Sequence, residues 1–145
     1  MNLDSHDQFS SIDIEDMLTH IAGLPDQLQR AWDLGLTLPL PAMTAVKSVV
    51  IAGMGGSAIG ADLLASFVSD RVTIPVMVQR DYGLPTYVFG KETLVVISSH
   101  SGDTEESLSA FEAACRSNCQ VMVITTGGKI LADTQSTHVP AWVFV

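Results

Sequence analysis

The sequence predicts an α/β protein: a doubly wound parallel sheet of about five strands with flanking helices, preceded by an N-terminal helical extension. From Lys47 onward short β-branched runs alternate with helical patterns, the signature of βαβ units. Runs such as Leu94-Val95-Val96-Ile97 carry no polar alternation, which suits strands covered on both faces. The chain has 145 residues, of which 47% are hydrophobic and 16% charged. That length fits one domain of ordinary size, and the apolar content excludes a disordered or low-complexity chain. No internal repeat is visible.

Taken in order, Ser10-Ser11 followed by Ile14, Met17, Leu18 and Ile21 has a capping residue and then helical apolar spacing, so an amphipathic helix is expected, ended by Gly23. Pro25 stands where a first-turn proline is tolerated, and Leu28, Ala31 and Trp32 mark a second helix stopping near Gly35. The segment Thr37-Leu38-Pro39-Leu40-Pro41 reads as a connector, because proline breaks regular helix. Residues 1–46 are therefore expected as a helical extension and 47–145 as the α/β domain. Strands are expected at 48–52, 73–79, 94–98, 120–125 and 139–145. Helices are expected from about Ala58 to Val68 and from Glu105 to Arg116, the latter turning Leu108, Phe111, Ala114 and Cys115 inward.

Charge narrows the function classes. Seven Lys and Arg oppose sixteen Asp and Glu, a formal charge of -9. A general nucleic-acid binder needs a basic face, and binding to anionic membranes needs one too, so neither partner is expected. No Lys or Arg precedes Arg30, while Asp4, Asp7, Asp13, Glu15 and Asp16 crowd the start, which argues against a secretory signal and for a cytoplasmic location. The apolar stretch from Val49 to Val68 is interrupted by Gly53-Met54-Gly55-Gly56-Ser57 and by Asp62, so it reads as strand, loop and helix. Cys115 and Cys119 read as buried or half-buried thiols in preference to a metal or redox pair.

Two loops carry the chemistry. Gly53-Met54-Gly55-Gly56-Ser57-Ala58-Ile59-Gly60 follows a strand and opens a helix, where glycines allow close approach and free helix-start amides favour an anion. Gly53, Gly55 and Ala58 also fit the dinucleotide pattern G-x-G-x-x-A. The acid that a nicotinamide site wants after the second strand is replaced by Gln79-Arg80, with Asp81 just beyond, so NAD(P) binding is the less favoured alternative. The second loop, Ser98-Ser99-His100-Ser101-Gly102-Asp103-Thr104, also joins strand to helix and is dense in hydroxyls. In a flavodoxin-like strand order the first and third strands are neighbours, so Ser57 would converge with Ser99, Ser101 and Thr104 on one crevice. A bound phosphate explains both loops without a cation. Helix capping is the plainer alternative, with Asp103 and Glu106 as a capping box, but it leaves Ser99 and Ser101 unexplained.

The pairing of GMGGSAIG with SSHSGDTEES, with Arg80-Asp81-Tyr82-Gly83-Leu84-Pro85 between them and Thr126-Gly127-Gly128-Lys129 after the fourth strand, resembles the sugar isomerase (SIS) domain. Within that superfamily it is most similar to the N-terminal half of bifunctional phosphoglucose/phosphomannose isomerases, from about Lys47 onward. The resemblance implies that Gly56 and Ser57 line the sugar-phosphate site and that Ser99, Ser101 and Thr104 hold the phosphate of a hexose 6-phosphate. It implies no cofactor and no metal, and a homodimer. Lys129 stands where the family usually has an intermediate-stabilising Arg, which keeps the charge and loses the bidentate fork.

Aldose–ketose isomerisation through an enediolate needs a positioned base and a group that opens the sugar ring. In the resembled family these lie in the second half of a longer chain. Glu105 and Glu106 read as solvated or capping groups, and His6, His20 and His138 as surface or core residues. His100 divides evenly between a substrate contact and a loop side chain. Because the sequence stops within the apolar run Ala141-Trp142-Val143-Phe144-Val145, it is expected to be the first SIS domain of a longer enzyme, one that binds the sugar phosphate and does not isomerise it alone. The alternative is a non-catalytic phosphosugar-sensing module.

Overall fold

The computed structural model describes residues 9–144, which divide after Leu40 into two compact units. Asp4, His6, Asp7 and Val145 lie outside the described residues.

The first unit holds α1 (Phe9–Ile12), α2 (Met17–Ala22) and α3 (Leu24–Thr37). The helix expected from Ser10-Ser11 to Gly23 is thus two pieces. The break is made by Asp13, whose carboxylate accepts the Met17 and Leu18 N–H groups at 2.7 and 2.8 Å and so starts α2 afresh. Asp16, just before it, takes the left-handed conformation at φ 53°. The second expected helix forms as α3 and runs two residues past Gly35, until the backbone turns extended at Leu38.

The second unit contains β1 (Ser48–Ala52), α4 (Gly55–Val68), β2 (Val76–Gln79), β3 (Thr93–Ser99), α5 (Glu105–Arg116), β4 (Gln120–Thr125), α6 (Gly128–Thr137) and β5 (Ala141–Val143). All five strands are parallel, in the order β2-β1-β3-β4-β5. This is the expected doubly wound, flavodoxin-like architecture. The chain winds outward from β1 to β2, returns past β1, and winds the other way through β3, β4 and β5. The reversal between β1 and β3 leaves a crevice at their carboxyl ends.

Two strands begin later than expected, for one reason, and β5 also ends earlier, at Val143. Pro75 and Pro140 have no N–H to give a ladder, so β2 begins at Val76 and β5 at Ala141. The α6 helix has little local signal, since Gly128, Asp133, Thr134, Ser136 and Thr137 are weak helix formers. It forms because Ile130, fully buried, packs into the core.

That core joins Val50 and Ala52 of β1, Val95 and Ile97 of β3, Val121 and Val123 of β4, Ala110, Phe111 and Ala114 of α5, and Ile130. Burial along β3 alternates, with Val95 and Ile97 buried and Leu94 and Val96 half-buried. Of the full cover on both faces expected from the unbroken apolar run, the structure gives only that on the side of α5 and α6. The other side, where α4 packs through Ala58 and Ala61, is covered in part. Cys115, expected inward, is exposed at the end of α5, because the buried stripe follows Ser107, Ala110, Phe111 and Ala114; Cys119 is half-buried. Burial raises the pKa of both thiols. No described helix is long and apolar enough to cross a membrane, and no metal-binding group of three ligands occurs among the described residues.

Candidate functional site at the β1 and β3 strand ends

The loops after β1 and β3 meet over a cavity of about 500 Å³ lined by Met54, Gly56, Ser57, Ser98, Ser99, His100, Ser101, Thr104 and Phe144. The structure therefore brings Gly56, Ser57, Ser99, Ser101 and Thr104 together, as the neighbouring of β1 and β3 demands. The loops are also in direct contact, since a β-carbon on Gly53 would stand 2.7 Å from the Ser98 carbonyl oxygen. Only glycine permits that approach.

The helix α4 starts at Gly55, three residues earlier than expected, so the glycine loop itself supplies the first helical turn. Amides of a first turn lack acceptors within the helix and carry its positive dipole end. A second helix, α5, starts beside Thr104. Neither start is capped by a side chain, so Asp103 and Glu106 do not form a capping box. Asp103 reaches instead across to the next loop, where its Oδ1 accepts the Lys129 N–H at 2.8 Å near the start of α6. Cross-loop capping of this kind has no short-range pattern and could not be read from the sequence.

The serines have a structural part as well. Ser99 Oγ accepts the Gly102 N–H at 3.1 Å and lies 3.4 Å from Thr104 Oγ1, and Ser101 Oγ accepts the Asp103 N–H at 3.3 Å. A hydroxyl that accepts in this way keeps its own proton to donate. These bonds shape the loop and leave donors for a ligand. No Lys, Arg, Asp or Glu is among the lining residues, so a bound anion would be met by hydroxyls and helix-start amides.

Lys129 is exposed and does not line the cavity; its backbone is what Asp103 engages. Glu105 is exposed, and its Oε2 accepts the Tyr82 hydroxyl at 2.9 Å, an interaction that raises the Tyr82 pKa. Arg80 pairs with Asp62 of α4, fastening the end of β2. Beyond it, Asp81 accepts the Tyr82 N–H at 2.7 Å. Met54 and Ser98 line the cavity from within the two motif loops, though neither was singled out as a site residue, and Phe144, which no motif announces, arrives because β5 ends beside β4.

No family model matches the chain. Over 115 residues, 79% of its length, it is 47% identical to the bifunctional phosphoglucose/phosphomannose isomerase of Caldicellulosiruptor bescii. This chain is a homologue of those isomerases. The enzyme of the same description from Thermoplasma acidophilum is 41% identical over 84 residues, 58% of the chain. The matched stretches cover 34% and 26% of those relatives, so the chain spans about a third or less of their length. In fold, the chain aligns over 88% of its length, and 36% of the other's, with tagatose-6-phosphate ketose/aldose isomerase from Escherichia coli, at TM-score 0.55 and 19% identity. The α/β unit of this isomerase homologue has the sugar isomerase fold.

Proposed function

We propose that residues 47–145 are the sugar-phosphate-binding domain, and residues 1–46 a helical extension, of an isomerase that interconverts hexose 6-phosphates through an enediolate. The observation that carries this is the convergence of Ser57, Ser99, Ser101 and Thr104 on one cavity flanked by two helix starts. Homology to phosphoglucose/phosphomannose isomerases supports the choice of sugar. The four hydroxyls and the Gly56 amide hold the phosphate, the Ser57 N–H being donated to the Met54 carbonyl at 3.1 Å, and the apolar lining of Met54 and Phe144 borders the space left for the sugar.

Proton transfer between adjacent carbons needs a base within hydrogen-bond reach, and no carboxylate is among the lining residues. The chain alone therefore grips substrate and does not turn it over. Lys129, in the first turn of α6 that Asp103 anchors, supplies positive charge toward the reaction intermediate in the complete site. The same reading expects a homodimer in the cytoplasm, without nucleic-acid or membrane partners.

A thermal-shift panel tests the proposal, since a ligand that binds only the native state raises apparent stability by mass action. Fructose 6-phosphate, glucose 6-phosphate and mannose 6-phosphate should stabilise the chain; free fructose and NAD(P) should not. Each hydrogen bond to the charged phosphate is worth roughly 1.5–3 kcal/mol, so changing Ser99 and Ser101 to Ala together should remove the shift. An unchanged shift in the double variant would reject the site, and stabilisation by NAD(P) alone would favour the dinucleotide alternative.

A further inference from the structure

The proposed phosphate cavity has one ionisable side chain among its lining residues, His100. Two features hold it there. Its carbonyl accepts both the N–H and the hydroxyl of Thr126, at 3.2 and 2.7 Å, which pins the backbone to the next loop. Its ring stands edge-on to Phe144, with centroids 5.9 Å apart and planes at 87°, which sets the imidazole against the cavity wall. The residue is exposed, so the ring can exchange protons with solvent.

The charged groups on the adjoining segments are otherwise committed or absent from the lining. Asp103, on the same loop, has Oδ1 bonded to the Lys129 N–H, and Glu105 of α5 receives the Tyr82 hydroxyl. Glu106 of α5 and the Lys129 ammonium do not line the cavity, the first turn of α4 has no acidic residue, and Phe144 after β5 is uncharged. An anion entering the cavity therefore finds one group there able to carry a full positive charge.

We propose that His100 is a titratable phosphate-binding residue, whose imidazolium donates a hydrogen bond to the anion and makes affinity fall as pH rises. The proposal rests on the phosphate site described above and adds its pH control. Imidazole changes charge between about pH 5 and 8, and a proton that strengthens anion binding is held more tightly once the anion is bound. Binding is then strongest where the ring carries its second proton and weakens as pH rises and that proton is lost.

The test uses inorganic sulfate, because phosphate monoesters titrate in the same range, with a second pKa of about 6, whereas sulfate stays a dianion. Sulfate affinity of the wild-type chain should drop about tenfold between about pH 5.5 and pH 8. By linkage, saturating sulfate should raise the His100 ring midpoint, followed by NMR, by about one pH unit. His100→Gln should flatten the sulfate profile at the wild-type pH 8 level. His138→Gln, which changes a residue outside the cavity, should keep the slope. Circular dichroism confirms that both variants fold. Sulfate binding with a wild-type slope in His100→Gln, or with an unmoved His100 midpoint, would overturn the proposal and leave the phosphate site standing. No binding of sulfate or fructose 6-phosphate at any pH would overturn both.

Discussion

Gly102 and Gly128 cross in backbone contact: a β-carbon on Gly102 would collide with the Gly127 carbonyl, and one on Gly128 with that of Ser101. Both take positive φ, 73° and 74°. Across this crossing the Ile130 N–H donates to the Gly102 carbonyl at 2.9 Å, so the loops after β3 and β4 are built as one piece. The serine loop owes its shape to this second loop, which itself contributes nothing to the cavity lining.

Alanine at either glycine should therefore damage stability and binding together. A left-handed non-glycine residue costs about 1–3 kcal/mol, and the collision adds to it. Urea denaturation of Gly102→Ala or Gly128→Ala should show a loss above about 2 kcal/mol, with fructose 6-phosphate stabilisation gone. Near wild-type stability would mean that the loops do not cross as described.

Removing the cross-loop cap is milder. Asp103→Ala takes away the acceptor of the Lys129 N–H, and loss of a helix cap typically costs about 1 kcal/mol. The denaturation midpoint should fall accordingly while the far-ultraviolet spectrum is kept. A change within error would show that the bond is not maintained in solution.

Most of the architecture could be read from sequence because it rests on local signals: apolar runs for β1, β3 and β4, and apolar periodicity for α5. What was hidden depends on contacts between distant segments. The α6 helix is held by buried Ile130 against its own weak propensities, and Asp103, which looks like a cap for α5, serves α6. At the site, Ser57 and the serine loop were legible because each lies in a strand-loop-helix motif. Phe144 was not, since its place comes from the pairing of β5 with β4.

The Tyr82 hydroxyl gives a pH observable. Its bond to Glu105, and then the negative charge of that carboxylate, hold the phenol proton and raise the pKa above 10.0. The interaction is fully present below the unfolded phenol pKa and is lost as pH rises through the higher folded value. In a Tyr87→Phe background, which leaves Tyr82 as the one tyrosine, ultraviolet titration should give a midpoint above 10.0. Glu105→Gln should lower it. An unmoved midpoint would show that the pair does not form.

The two thiols should be sluggish nucleophiles at neutral pH, because burial raises both pKa values and Arg116 only partly offsets this for Cys115. Mass-resolved alkylation should be faster at exposed Cys115 than at half-buried Cys119 and should accelerate as pH rises into the alkaline range. Faster labelling of Cys119 would contradict the burial pattern at the end of α5.

The central claim, that one cavity at the β1 and β3 ends grips a sugar phosphate, is tested most directly by amide chemical-shift mapping with fructose 6-phosphate. The account predicts saturable shifts concentrated at Gly56, Ser57 and the 99–104 loop, with free fructose producing none of them. Shifts centred elsewhere, or an equal response to free fructose, would contradict it.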